Sequence, residues 1–212
     1  IHGKNHHKDG TFGNYVESFK LLRSDGNILK CSKNINKEYF ESTIAGLGLT
    51  GIIISAEIKL KKIKNEFMDV RTFKYKTIDE YWKINNHCEN RYDYTVSWVD
   101  CLYSKKNDLR GVYIAGNHSQ QQINNKIKKE YKIKFPVTPP FSFVNNVSMR
   151  TLNNFYYFLN KRSNESTQHY KKFFFPLDVI QNWNRAYGKE GFFQYQFVVP
   201  KKNGEKVINQ VL

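Results

Sequence analysis

The dipeptide Asp25-Gly26 constrains this chain more than any other pair of residues. It sits between two strand-prone runs, Tyr15–Leu22 and Asn27–Cys31. Such a turn needs left-handed backbone, which glycine adopts without a steric cost, so Asp-Gly in this setting marks a hairpin. The chain is therefore expected to open on antiparallel sheet. Asn36–Ile44 follows with the length of a short helix that Asn34 or Asn36 could cap. Next, Ala45-Gly46-Leu47-Gly48-Leu49-Thr50-Gly51 leads into the β-branched strand Ile52–Leu60. Two readings of these glycines stay open: a loop whose backbone N–H groups meet a phosphate or ring carbonyl, or a turn too crowded for side chains. The spacing is not GxGxxG after a strand, so it gives no Rossmann site.

The charged stretch Lys61–Glu66 reads as a boundary. Beyond it, strands at Val70–Tyr75, Tyr92–Asp100 and Gly111–Gly116, with an amphipathic helix from Thr77 or Asp79 to Asn90, predict a small α+β domain with helices on one face of an antiparallel sheet. Residues 120–172 read as an irregular insertion wrapping the site. It holds a proline-broken Phe135–Phe141, an aromatic helix Thr151–Asn160 and a polar loop Asn164–Gln168. A helix is expected over Val179–Tyr187, ended by Gly188, and a strand over Gly191–Pro200. Alternation in that strand puts Gln194 and Gln196 on one face and Phe193, Tyr195 and Phe197 on the other. Buried amides need partners, so the glutamine pair reads as a hydrogen-bonding wall for a sugar or polyol.

The formal charge of +15 would attract polyanions. The lysines are scattered, however, and the densest run, Lys126–Lys132, reads as a solvated face. Nucleic acid is not expected; a peripheral membrane contact is favoured over it. Three cysteines, Cys31, Cys88 and Cys101, form no CxxC pair, and their odd number fits a reducing compartment. No run of about eighteen apolar residues exists to span a membrane. The opening segment Ile1–Gly13 gathers His2, His6, His7, Lys4 and Lys8 among three glycines, which suits a loop lining a cofactor or substrate site. Its histidines lack acidic or cysteine partners at metal spacing, so no metal is expected. The chain starts inside this loop without Met and stops within a periodic segment, as an internal fragment of a longer protein would.

Several of these stretches together resemble one family. His2-Gly3-Lys4-Asn5-His6-His7, Gly10-Thr11-Phe12-Gly13, Gly48-Leu49-Thr50-Gly51-Ile52-Ile53, Pro176-Leu177-Asp178, Trp183–Gly188 and Phe193-Gln194-Tyr195-Gln196-Phe197 are similar to the FAD-dependent decaprenylphosphoryl-ribose oxidase family of the vanillyl-alcohol-oxidase-like flavoproteins. The resemblance implies that residues 1–64 are the end of an FAD-binding α+β domain and 65–212 an incomplete substrate domain. It implies FAD contacts at Ile1, Gly48, Gly51 and Ile53, and catalytic roles for His2 and Lys4. It places Trp98, Phe174, Leu177, Gln194 and Gln196 on the substrate. Phe174 stands where the family has Tyr, Val96 where it has Ser and Leu47 where it has Asn; the first two make the pocket less polar. A glycine-rich pyrophosphate loop would precede Ile1, and an active-site lysine and cysteine would follow Leu212.

The expected function is hydride transfer from a secondary alcohol of a sugar or polyol, lipid-phosphate- or nucleotide-linked, to flavin N5. An NAD(P)H-dependent reductase partner, a place in bacterial cell-envelope polysaccharide synthesis, and a cytoplasmic or peripheral inner-membrane location go with it. The alternatives are an aldonolactone or alditol oxidase of the same superfamily, and a non-catalytic basic module binding nucleic acid or membrane.

Overall fold

The computed structural model describes residues 6–103, 109–121, 123, 132–160 and 163–211. They form two compact units, Ile1–Ile63 and Lys64–Leu212. In the first, strands β1 (Val16–Leu22), β2 (Ile28–Ser32) and β3 (Ile52–Ile58) make an antiparallel sheet ordered β2-β1-β3, with helix α1 (Lys37–Thr43) between β2 and β3 in the chain. The hairpin forms where Asp25-Gly26 predicts it. Gly26 has φ +84°, and the Asp25 carboxylate accepts the Asn27 N–H at 2.9 Å. The core gathers Val16, Phe19, Leu21, Cys31 and Phe40, with the Phe19 and Phe40 rings stacked at 5.4 Å. Asn36 precedes α1 but does not cap it. It is left-handed, and its amide is spent donating to the Lys30 carbonyl at 2.9 Å.

The second unit is built on a four-stranded antiparallel sheet ordered β5-β6-β4-β8, from β4 (Phe67–Tyr75), β5 (Tyr94–Val99), β6 (Gly111–His118) and β8 (Ser163–His169). A short strand β7 (Ile133–Lys134) pairs in parallel with β9 (Ile180–Gln181). The helices are α2 (Ile78–Cys88), α3 (Asn146–Leu159), α4 (Tyr170–Phe174) and α5 (Lys201–Val211). The Thr77 hydroxyl caps α2 by accepting the Glu80 N–H, and a reciprocal Asn145/Ser148 box starts α3.

The α+β class stands, with helices on both faces of this sheet rather than one. Strand alternation and register put Phe73, Tyr75, Tyr113 and Ala115 on one face, where Tyr81, Ile84 and Cys88 of α2 pack against them. The opposite face meets α3 and α4. Four further expectations are corrected. Asn164–Gln168 is not a loop but part of edge strand β8, whose polar side chains are solvated and so show no alternation. The supposed irregular insertion therefore contributes α3 and β8 to the architecture, although most of Lys126–Lys132 lies outside the described residues. The Val179–Tyr187 helix is replaced by β9 and a 3-10 turn at Trp183–Tyr187, because Asn182 turns left-handed at φ +58°. The strand over Gly191–Pro200 does not form: no described strand pairs with it, and Phe193, Tyr195 and Val198 are exposed. Alternation supplies a face, but a strand also needs a neighbour for its backbone groups.

Candidate functional site

The face of the four-stranded sheet opposite α2 carries Tyr94, Val96 and Trp98 from β5, Val112, Ile114 and Gly116 from β6, and Val70, Thr72 and Lys74 from β4. Two helices wall it. At one end the Trp98 ring meets Tyr156 of α3 at 4.9 Å, edge to face. At the other, Tyr94 meets Phe174 of α4 at 4.9 Å, and Phe173 lies so close over Gly116 that a Cβ there would come within 2.9 Å of its ring. Between the walls, Val96 is 53% exposed and Thr72 and Ile114 are half-buried. Tyr94 and Trp98 are four residues apart on one strand, so the open trough is about 13 Å long. Its floor is apolar and its ends aromatic, a surface suited to the flat face of a ring or sugar.

The α3 wall is fixed by a buried ion pair. Arg110 donates to the Asp100 carboxylate at 2.8 and 2.6 Å and to the Asn154 side-chain carbonyl at 2.5 Å. Asn153 donates to the other Asp100 oxygen at 2.7 Å. The guanidinium lies 4.1 Å from the Tyr103 ring centroid and 4.8 Å from that of Tyr157.

Of the residues singled out in the sequence, Trp98 and Phe174 are brought to the two ends of this trough. Leu177 follows α4 in an exposed 3-10 turn at Pro176–Val179. Gln194 and Gln196 lie in the exposed, unpaired segment and form no wall on a sheet face. In the first unit, Gly48 and Gly51 have φ +78° and +143°. A Cβ on Gly51 would strike the Leu22 carbonyl at 2.4 Å, which a crowded turn explains; around Gly48 the space is open, so a ligand can approach its backbone. Ile53 is 50% exposed on β3, beside exposed Ile52 and Ile54. Open backbone at Gly48 and apolar surface at Ile53 fit contact with a flat heterocycle. Ile1, His2 and Lys4 lie outside the described residues. Thr72, Lys74 and Ile114 were missed by sequence reading, because only the register reveals that they share a face with Trp98.

A cavity of about 470 Å³ on the α2 side is lined by residues including Asp69, Arg71, Tyr92, Glu165 and Thr167. None of the predicted residues lines it, and its charges are already engaged: Arg71 with Glu165 at 3.2 Å, Asp69 with Thr167 at 3.0 Å. Burial pushes the Cys31, Cys88 and Cys101 thiols up, which disfavours thiolate chemistry.

No protein-family model matches the chain. It is 30% identical over 97% of its length to decaprenylphosphoryl-β-D-ribose oxidase of Mycolicibacterium smegmatis, and it spans 47% of that protein. It is 25% identical to cytokinin dehydrogenase 5 of Arabidopsis thaliana, over 56% of this chain and 25% of that protein. Both relatives are oxidoreductases by name.

Proposed function

We infer from the similarity to decaprenylphosphoryl-β-D-ribose oxidase that this chain is part of an FAD-linked oxidoreductase acting on a secondary alcohol of a sugar or polyol. The observation that carries the reading is that this similarity covers 97% of the chain. Bound FAD would supply the acceptor for a hydride leaving the carbinol carbon. Gly48 offers open backbone and Ile53 apolar surface to that cofactor, with Gly51 shaping the turn between them. Trp98 and Phe174 close the two ends of the trough that would receive the substrate, and Leu177 adds an apolar edge beyond α4. Lys4 stabilises charge developing on the substrate oxygen, and His2 takes the hydroxyl proton. Val96 and Phe174 make this trough less polar than a serine and a tyrosine would, favouring a substrate with few exposed hydroxyls. Reoxidation of the flavin would fall to an electron acceptor, while a separate NAD(P)H-dependent reductase would return hydride to the keto sugar released, in the cytoplasm or at the inner membrane.

The test is the absorbance spectrum of the purified full-length protein, followed by anaerobic addition of prenylphosphoryl pentoses, aldonolactones and alditols. A flavin spectrum bleached by the phosphoryl pentoses is expected. Bleaching by lactones or alditols alone would reassign the substrate class, and a protein without flavin would sink the reading.

A further inference from the structure

Lys74 differs from the other well-placed cations of its unit. Arg71, Arg110 and Lys201 are paired with Glu165, Asp100 and Glu89 at 3.2, 2.6 and 2.5 Å. Lys74 has no carboxylate partner among the described residues. Its Nζ instead sits 4.0 Å from the centroid of the Tyr157 ring and 5.8 Å from that of Phe158. The register sets it on the trough-facing side of β4, across Val112 from Trp98 and next along the strand from Thr72. Two strand spacings separate it from Trp98, about 10 Å between Cα atoms. Burial pushes its pKa below the ordinary lysine value, and Lys76 and Arg110 act in the same direction. An ammonium held against a ring, crowded by like charges and with no carboxylate partner among the described residues, is a place where a bound anion adds charge-assisted hydrogen bonds and relieves repulsion.

We propose that Lys74 anchors the phosphate of a phosphorylated sugar whose ring rests on Trp98. This rests on the sugar-oxidoreductase reading and adds to it the residue that selects a phosphate-bearing substrate. The Tyr157 ring holds the ammonium from one side by cation–π attraction and leaves its N–H donors for phosphate oxygens. Arg110 contributes its field, with its Nε and Nη2 donors committed to Asp100 and Asn154. A sugar phosphate can be soluble or lipid-linked, and Lys74 would recognise the chemistry they share.

Binding of D-ribose, D-ribose 1-phosphate and farnesylphosphoryl-ribose to the full-length protein, followed by tryptophan fluorescence, tests this. Lys74→Gln should raise Kd for the phosphate-bearing ligands about tenfold and leave ribose unchanged, while Lys74→Arg should recover most of the loss. A loss confined to the farnesyl ligand also supports the anchor and assigns the lipid-linked source. Unchanged affinity for both phosphates, or an equal loss for ribose, overturns it. If the unaltered protein binds none of the three ligands, the sugar reading itself has failed and the anchor with it.

Discussion

At the residue scale, the second unit depends on contacts that leave no room for another atom. Gly111 faces Tyr75, which is fully buried, and a Cβ at Gly111 would come within 2.1 Å of the Tyr75 hydroxyl and 2.4 Å of the Trp98 carbonyl. Gly111→Ala should therefore destabilise the protein by about 1–3 kcal/mol through overpacking, seen as a lower midpoint in urea unfolding with little change in slope. The same burial governs alkaline stability. Tyr75 and Tyr113 are pushed up to about 12, in both cases chiefly by desolvation. A phenol with a folded value above its unfolded value of about 10 stabilises the fold fully below that pH. The contribution is lost as pH rises from about 10 towards 12. Tyrosinate absorbance should accordingly titrate in two stages, the exposed rings first and these two together with unfolding; a single early transition would contradict their burial. Residues of this kind are hard to read in a sequence. Gly111 looks like any strand-initiating glycine until the register shows what lies beneath it.

At the element scale, the sequence was informative wherever the signal was local. Asp25-Gly26 marked its hairpin, Thr77 or Asp79 the start of α2, and the strand-prone runs of β1, β4, β5 and β6 their strands. It misled where structure depends on a distant partner. Gln194 and Gln196 alternate with aromatics as strand residues do, yet Gly191–Pro200 stays unpaired. Asn164–Gln168 has loop composition, yet β4 recruits it as an edge. The trough was half legible: Trp98 and Phe174 were named in advance, but their common face required the β5–β6 register and the placement of α4. The start of α3 was read too late, because Asn145 and Ser148 form a capping box without the usual acidic or glutamine residue. Asn145→Ala should cost about 1 kcal/mol, and hydrogen exchange should show faster opening concentrated in the first turns of α3.

At the scale of the whole molecule, the stretch joining the two units is exposed from Lys59 to Lys64 and has no regular structure. Limited trypsin digestion should nick the native protein first within this lysine-rich stretch, releasing fragments that correspond to the two units; initial cleavage inside β4 or β6 would argue against the division. The buried pair Asp100–Arg110 carries a mechanical consequence. It ties α3 to the segment following β5 through Asn153, Asn154 and Tyr157. Parting those charges would strand one of them in a dry interior at a cost of about 3–5 kcal/mol. The wall formed by α4 is tethered at its start, where His169 meets the Glu66 carboxylate at 3.1 Å, but its far end lies over the trough on ring contacts from Phe173 and Phe174, which can slide. The trough is thus stiff on one side and compliant on the other, so a bulky molecule gains entry by displacing aromatic rings at the Tyr94 end while the Trp98 end keeps its shape.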